Sequence, residues 1–311
     1  MAVLKTTSPS VSLGAPRAVP SNTVPSAKAN TARYHQLGWG WSTPTPFTLP
    51  FRRTEYVNVD GNAQWESSFQ QQVAGEPLTF TTAEPATFHG GRTYHQQWNK
   101  AVFAPSVAGA RTDADYLTRT GDVISGGIPT FGEGPGHPGY SDAAVTMSLY
   151  RGDTRVGSVD TIWGEFEVPA ETADYRIELS ATRGAPHTLS TRALNTWTFR
   201  SGHVAGDQPH RLALSTIRFD PVLDPANRAT AGRLFTVPVR LDHQLATSTT
   251  RLSSVEASFD DGETWKSVPV KGSDAVVRHP GRAGFVSLRA HATDRAGNKV
   301  DQTVIRAYAI G

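Results

Sequence analysis

The chain contains no cysteine in its 311 residues. This absence excludes disulfide bonds, zinc sites built on cysteine and a thiol nucleophile. It fits both the cytosol and the exterior of a Gram-positive cell, so it does not fix the compartment. Functions that depend on a cysteine thiol are therefore excluded.

An excess of charge of one sign is also missing. Lysine and arginine total 30 and aspartate and glutamate total 28, which gives a formal net charge of +2. Such a balance excludes a strong electrostatic attraction to nucleic acid or to an anionic membrane. No apolar run approaches the roughly 18 residues of a transmembrane helix. Residues 1–5 lack the apolar core of a signal peptide, so a chain acting outside the cell is expected to be a segment of a longer protein.

Amphipathic helices with capping residues are not found either. Apolar and polar residues instead alternate with period two, as in the pairs Val145 and Met147, Tyr175 and Ile177. Glycine and proline clusters separate these runs, for example around Gly126-Gly127. Alternation of this kind is typical of strands with one buried face. The sequence therefore predicts an all-β fold of antiparallel sandwiches.

Composition predicts how the chain is divided. Residues 1–30 are rich in proline, serine, threonine and alanine and are expected to be a flexible lead-in. Residues 31–200 are predicted to form a jelly-roll-like β-sandwich domain, and residues 201–209 an interdomain linker. Residues 210–311 hold about seven strand candidates, which is typical of an immunoglobulin-like or fibronectin-like sandwich.

One short motif predicts a defined local structure. The stretch Ser258-Phe259-Asp260-Asp261-Gly262-Glu263-Thr264-Trp265 resembles an Asp-box. An aspartate side chain can accept backbone hydrogen bonds within a turn, and glycine can adopt the positive φ that a turn needs. We expect a β-hairpin in which Ser258, Asp260, Gly262, Thr264 and Trp265 are structural. If the ring of Trp265 is fully buried, its replacement by alanine costs roughly 3–5 kcal/mol.

Aromatic residues near the start of the chain allow two interpretations. Trp39 and Trp41 lie among prolines that prevent regular helix. They form either an exposed platform on which sugars stack or an extended segment whose rings are buried on a sheet. The second interpretation is favoured, and the first keeps both tryptophans as candidate ligand-stacking residues.

Two short sequences match functional motifs in part. Gly202-His203-Val204-Ala205-Gly206 has part of the histidine motif of subtilisin-like proteases but lacks its preceding residues and the matching serine and aspartate contexts. Arg151-Gly152-Asp153 is an integrin-binding tripeptide, yet Gly-Asp between two strands is also a good hairpin turn. We favour a chance match for the first and a hairpin for the second.

Candidate metal and acid–base residues are equally incomplete. His89 and His95 have no predicted third ligand, and the turn Asp294-Arg295-Ala296-Gly297-Asn298 has too few carboxylates for a calcium site. Glu165 and Glu167 lie two apart on one strand, whereas a glycosidase needs carboxylates facing each other across a cleft. We therefore predict no catalytic residue, no metal site and no cofactor, with calcium as a weak possibility.

A family resemblance joins several framework stretches. They are Arg53-Thr54-Glu55-Tyr56-Val57-Asn58-Val59-Asp60-Gly61 with Trp65, Trp197-Thr198-Phe199-Arg200-Ser201-Gly202-His203, residues 255–265, Arg278-His279-Pro280, residues 286–290 and Ala292-Thr293-Asp294. In this order they resemble the C-terminal, non-catalytic region of large secreted subtilisin-like serine peptidases of high-GC Gram-positive bacteria. The resemblance covers about residues 31–311, and no triad residue can be carried over, because no position here matches the triad motifs.

The resemblance implies an extracellular accessory region without catalysis of its own. Such a region stabilises or orients a protease domain in the same polypeptide, or holds a substrate near it. Two alternatives stay open: a glycan-binding or surface-binding sandwich module, and, more weakly, a sialidase-like glycoside hydrolase suggested by the Asp-box. Sialidase propellers carry several such boxes, and only one is found in this sequence.

Overall fold

The computed structural model describes residues 1–8, 26–27, 31–34, 38–39, 45–46, 49–57, 59, 64–73, 76–84, 86–107, 116–134 and 136–311. Within these residues all regular secondary structure consists of β-strands, which confirms the predicted all-β class. In the same part of the chain, no helix is long and apolar enough to cross a membrane.

The strands are numbered in chain order. The first ten are β1 Ala2–Ser8, β2 Ser26–Ala27, β3 Thr31–Tyr34, β4 Gly38–Trp39, β5 Thr45–Pro46, β6 Phe51–Val57, β7 Gln64–Glu66, β8 Ser68–Val73, β9 Glu76–Thr82 and β10 Thr93–Gln97. The next eight are β11 Leu117–Thr120, β12 Val123–Gly127, β13 Gly139–Ser141, β14 Ala144–Arg151, β15 Thr154–Val159, β16 Trp163–Glu167, β17 Ala173–Thr182 and β18 Arg192–Ser201. The last ten are β19 His210–Arg211, β20 Ser215–Phe219, β21 Arg228–Ala229, β22 Leu234–His243, β23 Arg251–Ser258, β24 Lys266–Ser267, β25 Val270–Lys271, β26 Asp274–Arg278, β27 Gly284–Thr293 and β28 Lys299–Ile310.

A nine-stranded sheet organises the molecule from β14 onwards. Its order is β15-β14-β17-β18-β28-β27-β23-β24, and β21 also pairs with β28. The antiparallel pairing of β18 with β28 places Asn195 opposite Gln302 and Trp197 opposite Val300. All four of these side chains are buried. Alternation therefore stays in phase across the junction, and the sheet has one continuous buried face and one continuous outer face.

Two four-stranded sheets cover the buried face. Their orders are β16-β12-β11-β19 and β20-β22-β26-β25. The first lies close to the large sheet, because a Cβ atom added to Gly157 of β15 would lie 2.9 Å from the ring of Phe166 on β16. A single hydrophobic core contains Phe166, Trp197, Val237 and Leu288, one residue from each half of both layers. The fold is thus a wide sandwich whose two halves share a sheet.

This arrangement bears on the predicted linker. β18, which precedes these residues, pairs with β28, which follows them, and residues 202–209 lead from β18 to β19 in the covering sheet. The stretch is therefore a crossover between the layers of one sandwich, where separate sandwiches were expected on its two sides. Glycine and proline serve such a crossover as well as they serve a linker, so composition could not distinguish them.

The beginning of the chain also differs from expectation. Residues 2–8, within the predicted flexible lead-in, form β1, which pairs with β6 and with β10. Ala2 and Leu4 are fully buried in a small core with Val57 and Phe88. The alternation of Ala2, Leu4 and Thr6 supplies one buried face, and a compositional average over 30 residues conceals it.

Residues 99–107, a buried segment outside the named strands, connect the beginning of the chain to the sandwich. Side chains from later in the chain satisfy several backbone groups of residues 99–107, as buried polar groups require. The bonds are Ala101 N–H to Asn227 Oδ1 at 3.0 Å, Phe103 N–H to Ser190 Oγ at 3.1 Å, Val107 N–H to Thr216 Oγ1 at 3.2 Å and Arg218 Nη1 to the Ala104 carbonyl at 3.1 Å. Burial lowers the pKa of Arg218 to about 10, which leaves the guanidinium charged at neutral pH.

Candidate functional site

The Asp-box forms the turn between β23 and β24. Asp260 Oδ1 accepts the Thr264 N–H at 2.9 Å and the Ser258 hydroxyl at 2.6 Å, and its Oδ2 accepts the Thr264 hydroxyl. The Gly262 N–H donates to Ser258 Oγ at 2.9 Å, and Gly262 has a φ of 92°. The Ser258 hydroxyl, followed by the two bonds from Thr264, lowers the pKa of Asp260 to about 2. Both carboxylate oxygens are thus occupied within the turn.

Trp265 lies less deep than full burial would require. Its ring is half-buried, Nε1 donates to the Gly262 carbonyl at 2.9 Å, and the Arg289 guanidinium lies 4.6 Å from the ring centroid. The hairpin is further fixed by Arg306, which binds both carboxylate oxygens of Asp261. These contacts make the motif a structural element of the sheet edge.

A serine, an aspartate and a histidine do meet elsewhere in the chain. His187 Nε2 lies 2.7 Å from Asp142 Oδ1 and 3.4 Å from Ser141 Oγ. A catalytic triad needs the aspartate on Nδ1 and the serine on Nε2, whereas here both partners share Nε2. The Ser141 hydroxyl is 3.0 Å from the Leu78 carbonyl and 2.9 Å from Asp142 Oδ1. Burial, and then the charge of Arg183, lowers the pKa of His187. This geometry fits a structural contact better than a catalytic triad.

His203, from the partial protease motif, pairs with a different aspartate. Its Nδ1 lies 3.0 Å from Asp122 Oδ1, which also accepts Arg119 Nη2 at 3.0 Å. The His203 hydrogen bond, followed by that from Arg119, lowers the pKa of Asp122. Arg119 is fully buried and also donates to the Pro169 carbonyl at 2.8 Å. This group fastens the 202–209 crossover to β11.

The other short motifs have local structural roles. Gly152 has a φ of 58° and turns the hairpin between β14 and β15, while Arg151 points back to Glu171 at 3.5 Å. Asp294 Oδ1 accepts the backbone N–H groups of Ala296 at 2.8 Å and Asn298 at 2.9 Å, and closes the turn between β27 and β28. These contacts serve the turns themselves, and they do not bring several ligand-binding groups together in either motif.

The candidate metal residues are not brought together. His89 and His95 are both exposed, and the His89 backbone N–H donates to the Tyr94 hydroxyl at 3.1 Å. Among the described residues, no group of three or more histidine, aspartate or glutamate side chains could hold a metal ion. The side chain of Trp39 and the whole of Trp41 lie outside the described residues, so the sugar-stacking platform stays a prediction.

A broad, partly exposed feature is the outer face of the nine-stranded sheet, where Ser148 is buried and the other polar residues of the central row are partly exposed. A row of polar side chains crosses it from Ser148 through Glu178, Thr196 and Asp301 to His291. Its charges pair with one another: Arg176 Nε lies 2.9 Å from Glu178, and Arg289 Nε lies 2.7 Å from Glu256. Sequence reasoning did not select this face, because it exists only once β18 and β28 are paired.

A second exposed group lies on β16. Trp163, 53% exposed, and the exposed Glu165 and Glu167 alternate with the buried Gly164 and Phe166. The sequence placed the two glutamates on one strand face, and the structure agrees. Trp163 was missed, although the same alternation places it on that face.

Comparison with known proteins yields little. No protein-family model matches the chain, and no curated protein matches it. Among solved structures, the three N-terminal domains of the Highly Immunogenic Outer Capsid protein (Hoc) of bacteriophage RB49 match with 9% identity, over 96% of this chain and 90% of that chain. The TM-score is 0.20, and at this value the likeness carries no argument about fold or function.

Proposed function

We propose that this chain is a non-catalytic accessory region of a secreted subtilisin-like serine peptidase. It works by holding a protease domain or a polypeptide substrate against the outer face of the nine-stranded sheet. We also infer that the half built from β20 to β28 is immunoglobulin-like. The family and the extracellular location come from the framework stretches of the sequence.

The observation that carries the proposal is the size and chemistry of that outer face. From β14 to β23 the sheet spans about 24 Å across the strands and about 33 Å along them, which is about 800 Å². A standard protein–protein interface buries about that area on each partner. The face is a sheet surface lined by hydroxyl groups and paired charges, which suits a broad partner better than a small molecule.

The pairing of charges supports a docking role. Arg289, through its hydrogen bond, lowers the pKa of Glu256, so this carboxylate stays charged at neutral pH. Charges that are already paired on one partner are cheaper to desolvate than isolated ones when another surface covers them. The expected interface is therefore held by shape and hydrogen bonds, with charge reversal as the sharpest way to disrupt it.

The first test asks whether the chain is free of catalysis. The purified chain is incubated with fluorescein-labelled casein and labelled separately with a fluorophosphonate probe for active serines. We expect neither hydrolysis nor labelling. Hydrolysis that disappears in Ser141→Ala or His187→Ala would contradict the proposal, since it would place a catalytic centre in this chain.

The second test measures docking. Binding is measured by calorimetry to a subtilisin-like catalytic domain whose active serine is replaced by alanine, and to carboxymethylated casein as an unfolded substrate. The double variant Glu178→Arg and Asp301→Arg reverses charges on the outer face, and Glu171→Arg with Asp207→Arg is the matched control away from it. We expect binding to one of the two probes, at least about tenfold weaker in the face variant. Binding to neither probe, or equal loss in the control, would refute the proposed surface.

A further inference from the structure

Among the described strands, β16 has a free edge. It is the last strand of its four-stranded sheet among the described strands, and β12 occupies its other edge. The Ile128 N–H donates to the Ile162 carbonyl at 3.3 Å and the Val168 N–H to the Asp122 carbonyl at 2.8 Å. In an antiparallel ladder this pattern makes Gly164 and Phe166 the residues whose backbone groups bond β12.

The other three residues of β16 therefore direct their backbone groups to the free edge. They are Trp163, Glu165 and Glu167, the same residues whose side chains are exposed. The Trp163 carbonyl accepts the Thr161 hydroxyl. Natural edge strands are usually protected by charged side chains, proline or a bulge; β16 has no proline and pairs with β12 in unbroken register, so only its two carboxylates, both negative, guard the edge.

The side chains on this edge have one sign of charge. The facing positions on β12 are Gly127, Ser125 and Val123, so no basic group neighbours the two carboxylates across the strand pair. Among the described residues no ion pair involves Glu165 or Glu167. Gly127, which faces Trp163, has no side chain to cover the indole ring, and Trp163 is 53% exposed.

We propose that the free edge of β16 binds an extended polypeptide that carries arginine or lysine at every second residue and adds to the sheet as a further, antiparallel strand. Residues directly opposite Trp163, Glu165 and Glu167 would project from the same face, about 6.6 Å apart along the strand. A cation there lies over the indole ring at one position and beside a carboxylate at the next. Main-chain hydrogen bonds supply the remaining affinity, as in other cases of strand addition.

The same observations decide between possible occupants. A polysaccharide could stack on Trp163 but has no backbone groups to match the N–H and C=O groups that β16 directs to this edge. A second copy of this chain, pairing β16 with β16, would bring carboxylates of both strands together, and facing like charges destabilise a strand pair. A basic strand satisfies both the edge and its charge.

The experiment uses the full chain and a synthetic twelve-residue peptide of alternating arginine and threonine, labelled with fluorescein. Binding is followed by fluorescence anisotropy at low and at high salt. We expect saturable binding that weakens with salt. A peptide of alternating glutamate and threonine, and one with the same arginines in a single block, are expected not to bind. Equal binding of either would overturn the proposal.

Backbone pairing is tested from the peptide side, so folding of the protein is not disturbed. N-methylation of the arginines removes the N–H groups that face β16, and N-methylation of the threonines removes those that face solvent. We expect the first peptide to lose binding and the second to keep it. Retained binding of the N-methylarginine peptide would overturn strand addition.

Variants of the chain test the side chains. Glu165→Gln with Glu167→Gln is expected to weaken binding about tenfold, and Trp163→Ala about fivefold. Glu178→Gln, on the opposite outer face, is the control and should change nothing. Binding of a soluble β-glucan that Trp163→Ala abolishes, with no peptide binding, would identify a glycan surface and overturn the proposal. This site does not depend on the accessory function above, whose tests concern the opposite face.

Discussion

Replacing Gln302 by leucine is the sharpest test of the shared sandwich. Gln302 lies on β28 with no exposed surface. Its Oε1 accepts Asn195 Nδ2 at 3.0 Å and the Ile217 N–H at 3.2 Å, and its Nε2 donates to the Ile217 carbonyl at 2.6 Å. One side chain therefore joins β28 to β18 in the same sheet and to β20 in the covering layer.

The expected loss follows from what leucine leaves unpaired. The N–H and carbonyl of Ile217 point away from β22, because Ile217 and Leu241 form a non-hydrogen-bonded pair. These two groups and the Asn195 amide would be buried without a partner, at about 1–3 kcal/mol each. The greater hydrophobicity of leucine offsets roughly 2 kcal/mol. We expect the free energy of unfolding to decrease by about 4 kcal/mol.

The assay is urea denaturation followed by tryptophan fluorescence, since Trp197 lies opposite Val300 within the same layer. Thr303→Leu is the matched control, because Thr303 follows Gln302 on β28 and points to the outer face. We expect it to shift the midpoint little. An unchanged midpoint in the Gln302 variant would show that these buried bonds do not hold the two layers together.

Three further outcomes are expected. Trp265→Ala should cost about 2 kcal/mol in the same assay, below the value for a fully buried ring, because its ring is half-buried; a loss of 4 kcal/mol or more would contradict this placement. A fragment of residues 210–311 should not fold alone, because it lacks β18 and exposes the edge of β28; a dispersed amide NMR spectrum would argue otherwise. The free energy of unfolding should fall as the pH drops below 6.5. Burial lowers the pKa of His187 and of His279 in the folded state, so the unfolded chain takes up protons first. Equal denaturation midpoints at pH 7.5 and 5.5 would refute this.

The sequence predicted what local patterns determine. The Asp-box hairpin follows from hydrogen bonds within eight residues, from Ser258 to Trp265, and these are the bonds found. The strands β14 and β17 follow from alternation, because each needs only one buried face. In both cases the information lies within a few residues of the structure that it specifies.

The sequence could not predict which strands pair across long distances. Alternation in β18 and in β28 is compatible with many partners, and nothing near residue 195 indicates residue 302. The cluster of Ser141, Asp142 and His187 is likewise assembled by the fold, since His187 lies 45 residues from Asp142. The depth of Trp265 depends on neighbours that the motif does not contain. The outer face could not be predicted as a candidate surface for the same reason, because it depends on the pairing of β18 with β28.

The two proposed surfaces differ in charge, and we therefore expect them to bind different partners. On the outer face of the nine-stranded sheet, Glu178 and Glu256 each have an arginine partner, so a covering protein meets little net charge. On β16, Glu165 and Glu167 have no such partner among the described residues, and the backbone beside them is unpaired. Since long-range attraction grows with uncompensated charge, the β16 edge should capture a basic strand faster and with greater salt dependence than the outer face captures its partner. Measuring both association rates at two salt concentrations would separate the surfaces, and equal salt dependence would mean that charge does not distinguish them.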